Sequence, residues 1–265
     1  MSATQASAVL FRGITKTFQG YTAVRGIDLE VKAGSFLSVV GPSGCGKSTL
    51  LNMAAGLMEP TEGTIEISGE PLHGINRKAG YMFQQDALLP WKTVLDNVAL
   101  GLQLRGTSRA QAEELGLAWV RRVGLDGFAD RYPHQLSGGM RKRVAMAQTW
   151  ITGPDIVFMD EPFAALDVHT RLRMETEILR LWEETSKTVM FVTHDLEEAI
   201  ALSDEVVVLS AGPASRVVGT YRVALERPRT LIDIKTDPRF VEIYSSIWRH
   251  LREEVLKSYE RNENA

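Results

Sequence analysis

The sequence predicts an α/β fold in which helices flank a mostly parallel sheet. Three almost uniformly apolar runs, 156–159, 189–192 and 206–209, suit parallel strands that are covered on both faces. The segments between these runs open with Asp167 and with Asp195, residue types that favour the N-cap of a helix. An alternation of strand and helix of this kind predicts right-handed βαβ units.

The first half of the chain adds two further parts to this core. The runs 9–15, 22–31 and 64–68 show shorter β-type alternation with turn residues between them, which predicts an antiparallel β-lobe. A helical stretch follows over 93–124 and is divided at Gly106. We therefore expect a helical subdomain beside the sheet.

Several helix ends can be predicted from capping residues. Ser108 with Gln111, and Asp195 with Glu198, have the spacing of a capping box. The final helix is predicted to start at Pro238, because proline suits a first helical position. One face of that helix carries Phe240, Ile243, Ile247, Leu251 and Val255.

Composition limits the classes of function. A chain of 265 residues that is 44% hydrophobic can bury the core of one large domain. The net charge of −3 gives no electrostatic reason to expect a nucleic-acid partner. The single cysteine, Cys45, excludes an internal disulfide. We find no signal peptide and no apolar run of about 18 residues, so we expect a soluble chain whose membrane role comes through a partner.

A complete P-loop follows the predicted strand 35–40 and leads into a predicted helix over 47–57. The motif GPSGCGKST consists of Gly41, Pro42, Ser43, Gly44, Cys45, Gly46, Lys47, Ser48 and Thr49. In such a loop Lys47 neutralises the β and γ phosphates, Ser48 ligates Mg²⁺, and Thr49 with the loop amides holds the α and β phosphates. The sequence therefore predicts a P-loop NTPase core that binds ATP and Mg²⁺.

Cys45 lies inside this loop and close to the start of a helix. A helix N-terminus favours the thiolate form of cysteine. We therefore expect that alkylation of Cys45 blocks ATP binding and that bound nucleotide protects the thiol.

Polar residues follow three of the predicted strands. Asp160 and Glu161 directly follow the run 156–159, Gln84 directly follows 81–83, and His194 comes two residues after 189–192. In an open α/β sheet the strand ends are where ligands bind, so Asp160 is a candidate metal ligand and Glu161 a candidate base for the attacking water. Gln84 and His194 can reach the γ-phosphate from neighbouring strands. Each residue alone could equally be a surface or loop residue, but together they favour hydrolysis.

A second glycine motif, LSGGM, occupies 136–140. Ser137 Oγ and the amides of Gly138 and Gly139 would form an anion site at the start of a helix. One nucleotide needs one phosphate cradle, and the P-loop already supplies it. The second motif is therefore predicted to meet a nucleotide held elsewhere.

These motifs, with Ala164-Ala165-Leu166-Asp167, occur in the order typical of ATP-binding cassette (ABC) ATPases, which the chain resembles from about residue 9 to 223. The resemblance implies that LSGGM binds the γ-phosphate of ATP on a second copy in a head-to-tail dimer. It implies that Asp167 links the two sites and that Phe18 stacks on adenine, although Tyr21 is nearby and Phe18 could instead be packing. We also expect Gln84 to ligate the metal with Ser48 and Asp160.

The resemblance also suggests a division of the chain. We expect an ABC ATPase domain over 1–223, whose helical subdomain with the signature motif LSGGM covers about 86–152. A C-terminal helical extension would then cover 224–265.

A finer resemblance appears in FQQDALLPW, LSGGMRKR, SAGPASRV and the C-terminal DPRFVEIYSSIWRHLREEV. These segments are similar to the ATPase subunits of importers for nitrate, sulfonates and taurine. The resemblance implies a separate membrane permease, a solute-binding protein, and a peripheral position on the cytoplasmic face of the inner membrane. The segment 86–91 would contact the permease, or else pack within the domain. Lys142, Gln148-Thr149 and Ala164 depart from the usual pattern, and we expect none of them to touch the chemistry directly.

Three other functions stay open. The chain could be a non-transport ABC-type ATPase acting on a nucleic-acid or ribosome partner, although such proteins carry a long coiled coil or two cassettes. It could be a module that holds ATP without turnover, although Glu161 and His194 argue against that. A small-molecule P-loop kinase would have no use for LSGGM.

Overall fold

The computed structural model describes residues 6–263, with side chains up to residue 260. Within this range the strands are β1 Ser7–Phe18, β2 Tyr21–Lys32, β3 Phe36–Val40, β4 Glu62–Ile67, β5 Glu70–Pro71, β6 Ala79–Met82, β7 Ile156–Asp160, β8 Thr188–Val192, β9 Glu205–Leu209 and β10 Val217–Arg222. The helices are α1 Lys47–Ala54, α2 Val94–Leu104, α3 Arg109–Arg122, α4 Gly138–Trp150, α5 Val168–Thr185, α6 Leu196–Leu202 and α7 Pro238–Glu263. Single 3₁₀ turns cover Pro133–Gln135 and Ile234–Thr236.

The larger sheet has the strand order β10-β9-β3-β8-β7-β6. Its strands run parallel except β10, which is antiparallel to β9. Every residue of β3, β7 and β8 is buried, as their uniform apolarity predicts, because helices cover one face and α1 with the antiparallel lobe covers the other. The parallel register brings the carboxyl ends of β3, β6, β7 and β8 to one edge, where the loops that follow them carry the predicted site.

The smaller sheet has the order β2-β1-β4-β5 and is antiparallel throughout. One buried apolar cluster contains side chains from β1, β2, β3 and α1, so this lobe shares a core with the P-loop helix. At Gly63 a Cβ atom would lie 2.4 Å from the carbonyl oxygen of Arg12, so β4 can approach β1 there only without a side chain. The predicted α/β fold with an antiparallel lobe is confirmed.

The helices show where the predicted ends were right and wrong. The helix α1 ends at Ala54 rather than Leu57, because Gly56 takes a left-handed φ of 70°. Asp195 caps α6, but the predicted capping box with Glu198 is wrong. The carboxylate of Glu198 accepts a hydrogen bond from Thr193 Oγ1 at 2.7 Å instead of reaching the amide of Asp195.

The C-terminal helix α7 begins at Pro238, as predicted, and packs on the main core through its apolar face. Phe240, Ile247 and Leu251 are buried, and Ile243 and Val255 are half-buried against the same cluster. Their spacing places all five on one side of a helix. Among residues 6–263, no helix combines the length and apolar character that crossing a membrane requires.

Candidate active site

The P-loop connects β3 to α1, and the side chain of Lys47 turns back over the loop. Gly44 and Gly46 take φ values of 77° and 90°, and a Cβ atom at Gly46 would lie 2.5 Å from a methyl group of Val24. The Nζ of Lys47 donates to the carbonyl oxygens of Gly41 at 2.9 Å and Pro42 at 3.1 Å. A buried ammonium held by carbonyl oxygens of its own loop is a natural partner for phosphate oxygens. The loop therefore fits the phosphates of ATP.

The other positions of the loop differ in exposure. Ser43, Gly44 and Ser48 are exposed, and Thr49 is half-buried in the first turn of α1. Loop residues that face solvent at the N-terminus of a helix can meet an anion without displacing the core. Pro42 is buried behind them.

The Cys45 side chain turns away from this surface. It is 1% exposed and belongs to the apolar cluster beneath the loop, where a Cβ atom at Gly41 would lie 2.8 Å from its Sγ. Burial raises the pKa of the Cys45 thiol and outweighs the lowering effect of Lys47. The expectation of a thiolate is therefore wrong, and the sulfur of Cys45 does not face the phosphate surface.

Ser48 and Asp160 meet where a divalent cation would lie between loop and sheet. Ser48 Oγ donates to Asp160 Oδ1 at 2.8 Å. Burial raises the pKa of Asp160, and the hydrogen bond from Ser48 opposes that rise. A hydroxyl and a buried carboxylate in contact are oxygen donors of the type that Mg²⁺ prefers, so these residues fit that ion.

Tyr81 lies beside Asp160, although nothing in the sequence pointed to it as a site residue. Its hydroxyl donates to Asn52 Oδ1 at 3.0 Å, and its interaction with Asp160 lowers the pKa of that carboxyl. Burial in turn raises the pKa of Tyr81. The signal available in the sequence was only its position on β6, three residues before Gln84.

Glu161 is the centre of a polar cluster built from three strand ends. Its Oε2 lies 3.1 Å from His194 Nδ1, and Gln84 Nε2 donates to the same oxygen at 3.5 Å. Gln84 and His194 are exposed, whereas Glu161 is half-buried. The structure thus brings together the three residues that the sequence proposed one by one. The carboxylate is placed to accept a proton at the edge of the sheet.

The backbone at Glu161 is left-handed, with a φ of 42°. Its amide donates to the carbonyl oxygen of Val192 at 2.9 Å, which holds the residue against β8. A left-handed conformation costs a residue with a side chain about 1 kcal/mol. The fold maintains this conformation and so fixes where the carboxylate points.

The LSGGM motif forms the N-terminus of α4 and faces solvent. Ser137 is the N-cap, and its Oγ accepts from the amide of Met140 at 3.3 Å. Ser137 and Gly138 are exposed. At Gly139 a Cβ atom would lie 2.5 Å from the Thr170 methyl group, so a larger residue here would force the Thr170 side chain to move. An exposed helix N-terminus with a hydroxyl at its cap can bind an anion.

Asp167 and Phe18 lie at two other surface positions. Asp167 caps α5 by accepting from the amides of His169 at 3.1 Å and Thr170 at 3.0 Å. Hydrogen bonds from Thr170 and His169 lower the pKa of Asp167. Phe18 ends β1 opposite Tyr21, and both rings are exposed rather than packed in the core.

Lys142, one of the departures from the usual pattern, contacts the backbone that carries Gln84 without touching the reacting groups. Its Nζ lies 3.3 Å from the carbonyl oxygen of Phe83 and also contacts that of Gln84. Asp86 Oδ1 is 3.3 Å away. Burial lowers the pKa of Lys142, and Asp86 opposes the effect. The sequence could not show this, because the two segments lie 58 residues apart.

The chain matches known proteins along most of its length. The sequence model of the family described as "ABC transporter" matches residues 24–164. An uncharacterized ABC transporter ATP-binding protein of Methanocaldococcus jannaschii is 48% identical over 236 residues, which cover 89% of this chain and 86% of that protein. The taurine import ATP-binding protein TauB of Escherichia coli K12 is 43% identical over 230 residues, or 84% and 89% of the two chains.

The fold also matches a solved cassette. The dimeric structure of a post-hydrolysis state of an ATP-binding cassette, bound to ADP and Pi, superimposes with a TM-score of 0.74 at 32% identity. The match covers 82% of this chain and all of that one. Together with the P-loop and the cluster around Glu161, these similarities identify the family. The chain belongs to the ABC transporter family and is an ATP-binding subunit with ATPase activity.

Proposed function

We propose that the chain is the ATPase subunit of an importer and couples ATP hydrolysis to the uptake of a small solute such as taurine, a sulfonate or nitrate. The observation that carries the ATPase part is the Glu161 carboxylate, which His194 and Gln84 contact beside the P-loop. The similarity to the taurine import protein supports the importer part.

ATP would lie along the P-loop with its phosphates over α1. Lys47 would exchange its carbonyl partners for the β and γ phosphates, and the loop from Gly41 to Thr49 would enclose them. Ser48, Asp160 and Gln84 would hold Mg²⁺, which neutralises phosphate charge when bound. The exposed ring of Phe18 is available to stack on adenine.

Hydrolysis follows from the arrangement at the sheet edge. Glu161 orients the attacking water and accepts its proton at Oε2. His194 fixes that carboxylate and stabilises charge on the γ-phosphoryl group, and Lys47 does so from the opposite side.

Two copies would form a head-to-tail dimer with two ATP molecules between them. Ser137, Gly138 and Gly139 of each copy would meet the γ-phosphate on the P-loop of the other, and Asp167 would link the two sites. The exposed N-terminus of α4 supports this role, as does the dimeric form of the similar cassette. Closing on ATP would then pull on an attached permease.

The segment 86–91 is the proposed permease contact. Its Trp91 is 71% exposed, whereas Asp86 is held to α4 by Arg141 Nε at 2.9 Å. Aromatic residues are enriched at protein–protein interfaces, which supports a docking role for this segment. The subunit would then lie peripherally at the cytoplasmic face of the inner membrane and serve a separate solute-binding protein.

The same proposal divides the chain by role. Residues 1–223 would form the ABC ATPase domain, with a helical subdomain over about 86–152 that carries the signature motif. Residues 224–265 would form a C-terminal extension. The helix α7 in this extension buries Phe240 and Ile247 against the core.

Glu161→Gln tests the role of the carboxylate. We expect turnover to fall by about 10²–10⁴, the usual contribution of general acid–base catalysis, while ATP still binds and holds a stable dimer. Phosphate release, nucleotide titration and size-exclusion chromatography with ATP measure the three effects. Glu30→Gln, at an exposed position of β2, is the control and should leave all three unchanged. Wild-type turnover in Glu161→Gln would refute the assignment, and no turnover in the wild type would favour a module that only holds ATP.

A further inference from the structure

Lys142 joins the signature helix to the segment that carries Gln84. It lies in the second turn of α4, and its side chain is 4% exposed. The ammonium group contacts the carbonyl oxygens of Phe83 and Gln84 and, at 3.3 Å, the carboxylate of Asp86. The neighbouring Arg141 holds the other oxygen of Asp86 at 2.9 Å. Lys142 and Arg141, two adjacent cations of α4, therefore both hold the short segment 83–86.

The chemistry of lysine suits this position. An ammonium group has three donors, and here it faces three oxygens. The carbonyl oxygens of Phe83 and Gln84 come directly after β6, where the sheet no longer supplies partners. Removing the ammonium would leave them without this charged donor, and Arg141 would still neutralise Asp86. Lys142 therefore contributes to the position of the backbone at Gln84 more than to the charge of Asp86.

The contacts of Lys142 are connected to Glu161, the proposed catalytic base, through Gln84. The backbone of Gln84 is held by Lys142, and its side-chain amide donates to Glu161 Oε2 at 3.5 Å. The same helix begins at Ser137, the residue proposed to meet the nucleotide of a second copy. One rigid helix thus connects the surface that meets the partner's nucleotide with the residue that contacts Glu161.

We propose that Lys142 is a positioning residue that locks the Gln84 segment to α4, so that a shift of the signature helix moves the Gln84 amide relative to Glu161. The inference rests on the proposed function, because it takes Glu161 and Gln84 as parts of the hydrolytic site. Lys142 itself touches only main-chain oxygens and Asp86. Its effect on turnover must therefore pass through Gln84.

The first test measures the segment without nucleotide, by hydrogen–deuterium exchange. In Lys142→Met the amides of residues 84–88 should exchange about tenfold faster than in the wild type, because the carbonyl oxygens lose their charged donor. Lys142→Gln keeps an amide donor and should give a smaller increase. Arg143→Met is the control, because Arg143 lies on the same helix but donates to Val123 and Gly124 at 3.2 Å each. Unchanged exchange in both Lys142 variants would overturn the lock.

The second test measures catalysis. Lys142→Met should lower kcat by about 10- to 100-fold with KM changed less than twofold, as expected for a misplaced group, and Lys142→Gln should restore part of the loss. In a Gln84→Ala background the same substitution should have little further effect on kcat, because the two act in one chain of contacts. An equal loss in that background, or the same loss in Arg143→Met, would refute the proposal.

The two tests separate this inference from the function on which it rests. If Glu161 is not the base, Glu161→Gln keeps wild-type turnover whatever the exchange experiment shows. If only the positioning role is wrong, Glu161→Gln loses turnover while Lys142→Met keeps wild-type exchange and kcat. Thermal unfolding of each variant sets the assay temperature, so that every rate is measured on folded protein.

Discussion

At the scale of single residues, burial decides the chemistry of Cys45. The local sequence places the thiol in a phosphate loop at the start of a helix, where a low pKa is expected. The structure places its sulfur in the apolar cluster beneath the loop, where burial raises the pKa. Desolvation disfavours the charged thiolate more than the nearby Lys47 favours it.

The prediction for Cys45 is slow alkylation. At pH 8 we expect the native protein to react with a maleimide at least about tenfold more slowly than the protein unfolded in guanidinium, because the reactive thiolate is scarce and covered. Cys45 is the only cysteine, so one mass increment reports its labelling directly. Equal rates in the native and unfolded protein would show that the thiol is open. Because the sulfur does not face the phosphates, bound ATP should change the labelling rate of the native protein little.

At the scale of elements, α6 carries a buried carboxylate directly behind the site. The hydroxyl of Thr193 donates to the carboxylate of Glu198. The Oγ1 of Thr193 also accepts a hydrogen bond from the amide of Asp195 at 3.0 Å. Burial raises the pKa of Glu198 to about 7, while the bond from Thr193 opposes the rise. Arg171 lies 3.5 Å from the other carboxylate oxygen. This network fixes Thr193, the residue before His194.

The raised pKa of Glu198 predicts how stability depends on pH. Between about pH 5 and pH 7 the native state binds the proton and the unfolded state does not, so the free energy of unfolding falls as pH rises. Glu198→Gln should reduce that fall by up to about 3 kcal/mol. Urea unfolding at pH 5 and pH 8 measures it, with exposed Glu242→Gln as control. The same fall in Glu198→Gln as in the wild type would contradict the prediction.

The elements also show what a sequence can predict. The P-loop before α1, the N-caps Asp167 and Asp195, and the apolar strands were predictable, because each depends on neighbours in the chain. The gathering of Gln84 and His194 at Glu161 followed from strand order at one sheet edge. Tyr81 was not predictable, because its role depends on contact with distant Asn52. Lys142 was also missed, because only the packing of α4 on the segment after β6 shows its partners.

At the scale of the whole molecule, the two glycine motifs serve different faces. The P-loop lies over the sheet edge with Lys47 folded into it, whereas Ser137 and Gly138 are exposed at the start of α4. A chain with one complete cradle and one exposed anion site fits a dimer in which each copy completes the site of the other. Turnover should then depend on the exposed N-terminus of α4, whereas the binding of ATP to a single copy should not.

Ser137→Arg tests this dependence. We expect ATP to bind the monomer with wild-type affinity, while turnover falls by at least about 10² because the side chain blocks closure and removes a donor. Nucleotide titration and phosphate release measure these effects, and the Glu161→Gln background shows whether the ATP-bound dimer still forms. Ser246→Arg, at an exposed position of α7, is the control. Loss of ATP binding to the monomer would mean that the motif belongs to the chain's own site.

The left-handed backbone at Glu161 puts thermal stability and catalytic activity in conflict. Glycine would relieve the strain of a φ of 42° but would remove the carboxylate. A library screened only for heat resistance would therefore enrich glycine at this position and yield folded, inactive proteins. Engineering for higher thermal stability should therefore leave Glu161 unchanged. Stabilising substitutions should be sought in surface helices, where no reacting group depends on the backbone conformation.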